Sequence, residues 1–185
     1  KHCSIASFPE MKDKTIVVNG FSKAFAMTGW RLGYVCGHPV FIDVMKRIHQ
    51  YALMCPPTTS QYAAIEALRN SEDDVQMMVR EYNRRRRLMV EGFRRLGLEC
   101  FEPYGAFYVF PCIKSLGMSS DEFCEILLKE EKVLIVPGTA FGECGEGYFR
   151  ATYATSLENI TEALKRIERF VEKRRQREEQ KCINL

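Results

Sequence analysis

The stretch VNGFSKAFAMTGWRLGYVCG, Val18 to Gly37, sets one lysine, Lys23, behind a β-branched run and among small and aromatic residues. Arg31 follows eight positions later, between Gly29 and Gly33. An unpaired ammonium ion in an apolar setting is costly. A lysine placed there is expected to be one whose proton can be removed. Burial and a neighbouring cation both ease proton loss and free the amine for attack on a carbonyl. Arg31 adds a fixed cation with a planar fork suited to phosphate. The pair together describes a Schiff base with a phosphorylated aldehyde.

Outward from this stretch, the chain alternates strand and helix signals. KTIVVNG (Lys14–Gly20) reads as a buried strand with a turn behind it, which puts Lys23 at a strand end, and Trp30–Gly37 reads as a second strand. Phe41, Val44, Met45 and Ile48 stand at helical spacing, and Thr59 or Ser60 can cap a helix through Asn70. Ser71 is the expected cap of the longest helix, with acidic residues in its first turn and arginines late, in accord with the helix dipole. After Gly97, LECFEP and GAFYVFPCI read as a hairpin-like strand pair. An amphipathic helix capped by Ser119 or Ser120 follows, then the strands VLIVPG and GYFRATYA. A closing helix sets Ile160, Leu164, Ile167 and Val171 on one face.

GFSKAFAMTGWRLG resembles the lysine segment of the class I and II aminotransferases, fold-type I enzymes dependent on pyridoxal phosphate, with Gly20, Ser22, Lys23, Gly29, Arg31 and Gly33 in register. GLECFEPYGAFYVFP and VLIVPGTAFGECGEGYFRATYATSLENITEAL are similar to that family's small-domain segments, in the same order. The resemblance runs from about Lys1 to Val171. It implies that Lys23 forms the Schiff base and then shuttles the proton, that Arg31 holds the cofactor phosphate, and that Arg150 grips the substrate α-carboxylate. One position departs from the pattern. Many relatives carry a hydroxyl three residues before the lysine as a phosphate ligand; here that residue is Gly20, so Ser22 is the candidate substitute.

The implied fold is α/β: the C-terminal part of the transferase large domain (residues 1–70), a long bridging helix (71–96) and an α+β small domain (97–185). The family's full chain is about twice this length, and its other half carries the phosphate loop, the ring-stacking aromatic and the Asp at the pyridine nitrogen. The chain therefore reads as a C-terminal half, inactive alone, of a cytoplasmic homodimer acting on L-amino acids and 2-oxo acids. Two alternatives stay open: a non-catalytic interaction or dimerisation module, and another enzyme on the same scaffold, such as a C–S lyase or an aminocyclopropane-carboxylate synthase. A pure interaction module has no use for Lys23 and Arg31 together.

Composition narrows the remaining classes. A net charge of +3, with 46% hydrophobic and 28% charged residues, suits a globular protein and gives no field of the kind a nucleic-acid binder carries. The arginine run Asn83–Met89 points in all directions around a helix, beside acidic partners, and reads like the stretch Glu172–Lys181 as a solvated face. No run of apolar residues is long enough to span a membrane. The eight cysteines form no C-x-x-C pair and, with His2, His38 and His49, no metal spacing. They read as free thiols of a reducing compartment, with Cys36 and Cys112 as small core fillers in strands.

Overall fold

The structure, a computed structural model, describes the backbone of residues 2–183 and their side chains except at 178, 179 and 181–183. Cys182 and part of the basic stretch Glu172–Lys181 therefore lie outside the described side chains. The chain divides into two compact units, residues 1–78 and 79–185.

In the first unit, β1 (Val17–Gly20) pairs antiparallel with β2 (Gly33–Cys36), with Gly20 opposite Gly33. The expected second strand is thus shorter than Trp30–Gly37. Trp30 closes a 3-10 turn, Thr28–Trp30, and Arg31 is left-handed, so neither can join a ladder. Gly33 is required where the strands meet, because a Cβ there would lie 2.9 Å from the Asn19 carbonyl oxygen. Between the strands stands the one-turn helix α1 (Phe21–Ala24).

Helix α2 (Pro39–Ala52) starts on a proline that presets the helical φ, with His38 Nδ1 accepting from the Val40 N–H at 3.4 Å. Its predicted apolar stripe is present, but Phe41, Val44, Met45 and Ile48 are all exposed. Helix α3 (Thr58–Asn70) is entered from Pro57 without a side-chain cap, so neither Thr59 nor Ser60 caps it. The buried residues of this unit are few: Phe21, Met27, Ala64 and Ala67 form its core.

Helix α4 (Glu72–Arg95) opens with three acidic residues and closes with Arg94 and Arg95; Ser71 stands just before it, its carbonyl accepting from Val75 N–H. The arginine run is not one solvated face: Arg84 and Arg87 are exposed, whereas Arg85 is half-buried against Glu81 at 2.8 Å and Arg86, its side chain 11% exposed, pairs with Glu102.

The second unit is α+β. Its sheet has the order β3 (Tyr108–Val109), β5 (Phe149–Thr152), β4 (Val136–Pro137), all antiparallel. Helix α5 (Ser120–Glu131) is capped by Ser119, whose hydroxyl accepts from Glu122 N–H, and α6 (Leu157–Ile183) closes the chain. Phe149 of β5 is fully buried, 5.4 Å from the Phe93 ring of α4 and 5.3 Å from the Phe123 ring of α5. Phe170 of α6 completes this aromatic centre against Phe123. Ile160, Leu164, Ile167 and Val171 are buried together, as their spacing predicts.

Further expectations fail in the strands: β1, expected to be buried, is not, with Val18 73% exposed. Leu98–Pro103 is not a strand: Cys112 N–H reaches Glu99 O at 2.8 Å, while Tyr108 and Val109 pair with β5 instead. Pro103 can offer the ladder no N–H. Cys36 is exposed rather than a core filler, and Cys112 is half-buried. Among the described residues Cys100 and Cys124 are the buried thiols; burial, with Asp121 nearby, pushes the Cys124 thiol up to about 12. Among the described residues no helix is long and apolar enough to cross a membrane.

Candidate active site

The segment between β1 and β2 is a closed loop, and its closure begins with Phe21. That ring is 3% exposed and lies 5.4 Å from Phe25 and 5.5 Å from Tyr34. Its N–H donates to Leu32 O at 3.2 Å, which ties the start of the loop to its end. Met27, also buried, donates its N–H back to Phe21 O at 3.3 Å. With Phe21 and Met27 turned inward, the single turn of α1 leaves Ser22 half-buried and Lys23 exposed.

The expectation that Lys23 is desolvated by its apolar neighbours is therefore not met in this structure. Those neighbours pack against one another, and the lysine rides on the outer side of their turn. Its carbonyl is engaged, accepting from Ala26 N–H at 3.2 Å. The lysine stands one helical turn past the strand end rather than on it.

Arg31 has φ 49° and ψ 51°, and Ala26 has φ 53°; both are left-handed without being glycine. Such residues cost of order 1 kcal/mol each and persist where the surroundings over-determine them. Part of what over-determines Arg31 is a latch. The Ser60 hydroxyl, on α3 and 4% exposed, donates to Trp30 O at 2.8 Å. Arg31 also donates from Nη1 to Thr28 O at 2.9 Å, while its side chain remains exposed. Ser60 was legible in the sequence only as a possible helix cap. A bond spanning thirty positions leaves no local signal.

The structure thus carries Ser22, Lys23 and Arg31 on one closed loop of the first unit. Arg150 belongs to the second unit, on β5, the middle strand. Alternation along β5 buries Phe149 and Ala151 in the core and turns Arg150 to the other face. There its guanidinium carbon lies 4.3 Å from the ring centroids of both Tyr108 and Phe141. A cleft of about 500 Å³ in the same unit is lined by Arg150, Tyr108, Val136, Thr152, Thr155 and Asn159.

This donor set fits a phosphorylated aldehyde: an exposed primary amine for the carbonyl, with a guanidinium and a hydroxyl on the same loop for the phosphate. Arg150 is half-buried, and among the described residues no hydrogen bond or ion pair to a protein group engages its guanidinium. An arginine so held keeps its in-plane N–H donors for an anion.

The family model described as aminotransferase class I and II matches residues 2–167. The chain is 55% identical to the YugH protein of Bacillus subtilis over 170 residues, which are 92% of this chain and 44% of YugH. It is 48% identical to aromatic-amino-acid aminotransferase 2 of Thermococcus litoralis over 177 residues, 95% of this chain and 46% of that protein. Among solved structures, the aromatic aminotransferase of Pyrococcus horikoshii superimposes with a TM-score of 0.89 at 47% identity, covering 95% of this chain and 47% of that one. The chain spans a little under half the length of these relatives.

Proposed function

We propose that this chain, which belongs to the class I and II aminotransferase family, carries the reactive lysine and two anion-binding arginines of an enzyme that moves an amino group from an L-amino acid to a 2-oxo acid. The observation that carries the reading is the closed loop from Gly20 to Gly33, which holds Lys23 and a left-handed Arg31 together. Pyridoxal phosphate, when bound, supplies the aldehyde and a ring able to take up the electron pair left at the substrate Cα. Lys23 provides the amine that holds the aldehyde carbon. The same amine, when not so engaged, would take up and return the proton at the substrate Cα. Arg31 binds the phosphate through its planar fork, with the Ser22 hydroxyl as a further donor. Arg150 binds the α-carboxylate edge-on through its planar fork.

In the whole protein, residues 1–70 form part of the cofactor-binding large domain, 71–96 the bridging helix and 97–185 the small domain. The exposed apolar face of α2 suits burial against further polypeptide. We take the whole enzyme to be a cytoplasmic homodimer and the 185-residue chain alone to be inactive.

The test is a single-turnover assay on the whole protein loaded with pyridoxal phosphate. Lys23→Ala is expected to slow transfer from an amino donor by about a thousandfold or more. Arg31→Gln is expected to weaken cofactor binding by about ten- to a hundredfold. Retention of the full rate by Lys23→Ala would sink the assignment.

A further inference from the structure

We propose that Phe141 and Tyr108 are positioning residues that act through Arg150 and set how tightly the substrate carboxylate is held; this rests on Arg150 being the α-carboxylate anchor. Both rings lie 4.3 Å from the guanidinium carbon, close enough for strong cation–π contact. A free arginine side chain samples many rotamers. One held against two aromatic rings is confined, and cation–π contact leaves its N–H groups available to an anion. A planar carboxylate arriving edge-on can then accept two parallel hydrogen bonds.

Phe141 is itself braced, which separates it from an incidental surface ring. It meets Phe110 edge-on at 6.0 Å; Phe110 stacks on Tyr148 at 5.7 Å, and Lys114 caps Tyr148 at 5.1 Å. The loop bearing Phe141 is fastened at its base. Gly138 N–H donates to Tyr148 O at 2.8 Å, and the fully buried Ser120 hydroxyl accepts from Gly147 N–H at 2.9 Å and Tyr148 N–H at 3.1 Å. Tyr108 is fixed by the ladder, paired with Thr152 across β3 and β5. The braced loop and the sheet therefore converge on one guanidinium.

The experiment uses the whole protein with pyridoxal phosphate and two donors: the L-amino acid it turns over fastest, and the primary amine lacking that amino acid's α-carboxylate. Phe141→Leu is expected to raise KM for the amino acid about tenfold, with kcat changed less than about threefold. Its turnover of the amine should equal that of the unsubstituted protein. Phe141→Tyr, which keeps the ring, should restore KM, and Tyr108→Leu should repeat the pattern. An unchanged KM in both leucine variants, an equal loss on both donors, or no rescue by tyrosine overturns the proposal. Arg150→Leu separates it from its foundation. If that variant leaves KM for the amino acid unchanged, the carboxylate-anchor reading falls as well; if it raises KM while both ring variants do not, only the positioning role falls.

Discussion

Glu131, at the end of α5, is 7% exposed, yet it carries a charge that Arg169 meets at 2.8 Å and Lys173 at 3.1 Å, both from α6. The hydrogen bond from Arg169, then that from Lys173, holds its carboxyl below the usual carboxylate range. A carboxyl depressed in the folded state adds stability above its unfolded value, ~4.3, and that stability is lost as pH falls through the folded value. Glu131→Gln is therefore expected to lower stability at pH 7 by roughly 1–3 kcal/mol. Its thermal melts should also fall less steeply than those of the unsubstituted chain as pH drops below ~4.3. Parallel melting curves for the two would contradict this. At the same scale, Ser60→Ala removes the latch on Trp30 O and frees the turn before Arg31. We expect a severalfold weaker hold on pyridoxal phosphate in the whole protein, read by equilibrium dialysis, with Lys23 still reactive. Unchanged affinity would show that Arg31 needs no such support.

At the scale of elements, the loop between β4 and β5 depends on two glycines. A Cβ on Gly138 would lie 2.0 Å from Gly145 O, and one on Gly145 would lie 2.1 Å from Gly138 O. Either alanine substitution forces backbone apart and is expected to cost about 3 kcal/mol or more, read as a drop in the denaturation midpoint. A loss under about 1 kcal/mol would mean that the two turns do not pack as described. The elements also show what the sequence could reveal. Helices α2, α5 and α6 were legible because a 3.6-residue apolar period is a local signal, joined in α5 by the Ser119 cap. Leu98–Pro103 was misread because its residue types suit a strand, whereas its pairing depends on where Tyr108 and Val109 go. At the proposed site, that Lys23 and Arg31 share one short segment was legible in the motif. Ser60 and Phe141 were not, since each acts through packing between distant segments, and the exposure of Lys23 follows from which way the one turn of α1 faces.

Across the whole chain, the two units are unequally furnished. The first buries Phe21, Met27, Ala64 and Ala67, while the second buries a continuous cluster from Met89 to Val171. Local stability follows buried apolar contact. In the 185-residue chain, amides of β5 and of α6 up to Val171 are expected to exchange with solvent at least about a hundredfold more slowly than those of α2. Equal protection in both units would contradict that.

We propose Lys23 as the residue that holds pyridoxal phosphate. Its most direct test is to load the whole protein with the cofactor, reduce it with borohydride, and map the modified peptide by mass spectrometry. The cofactor mass on Lys23, and its loss in Lys23→Ala, is the predicted result. Label on another lysine, or no label on a protein that still binds the cofactor, would contradict it.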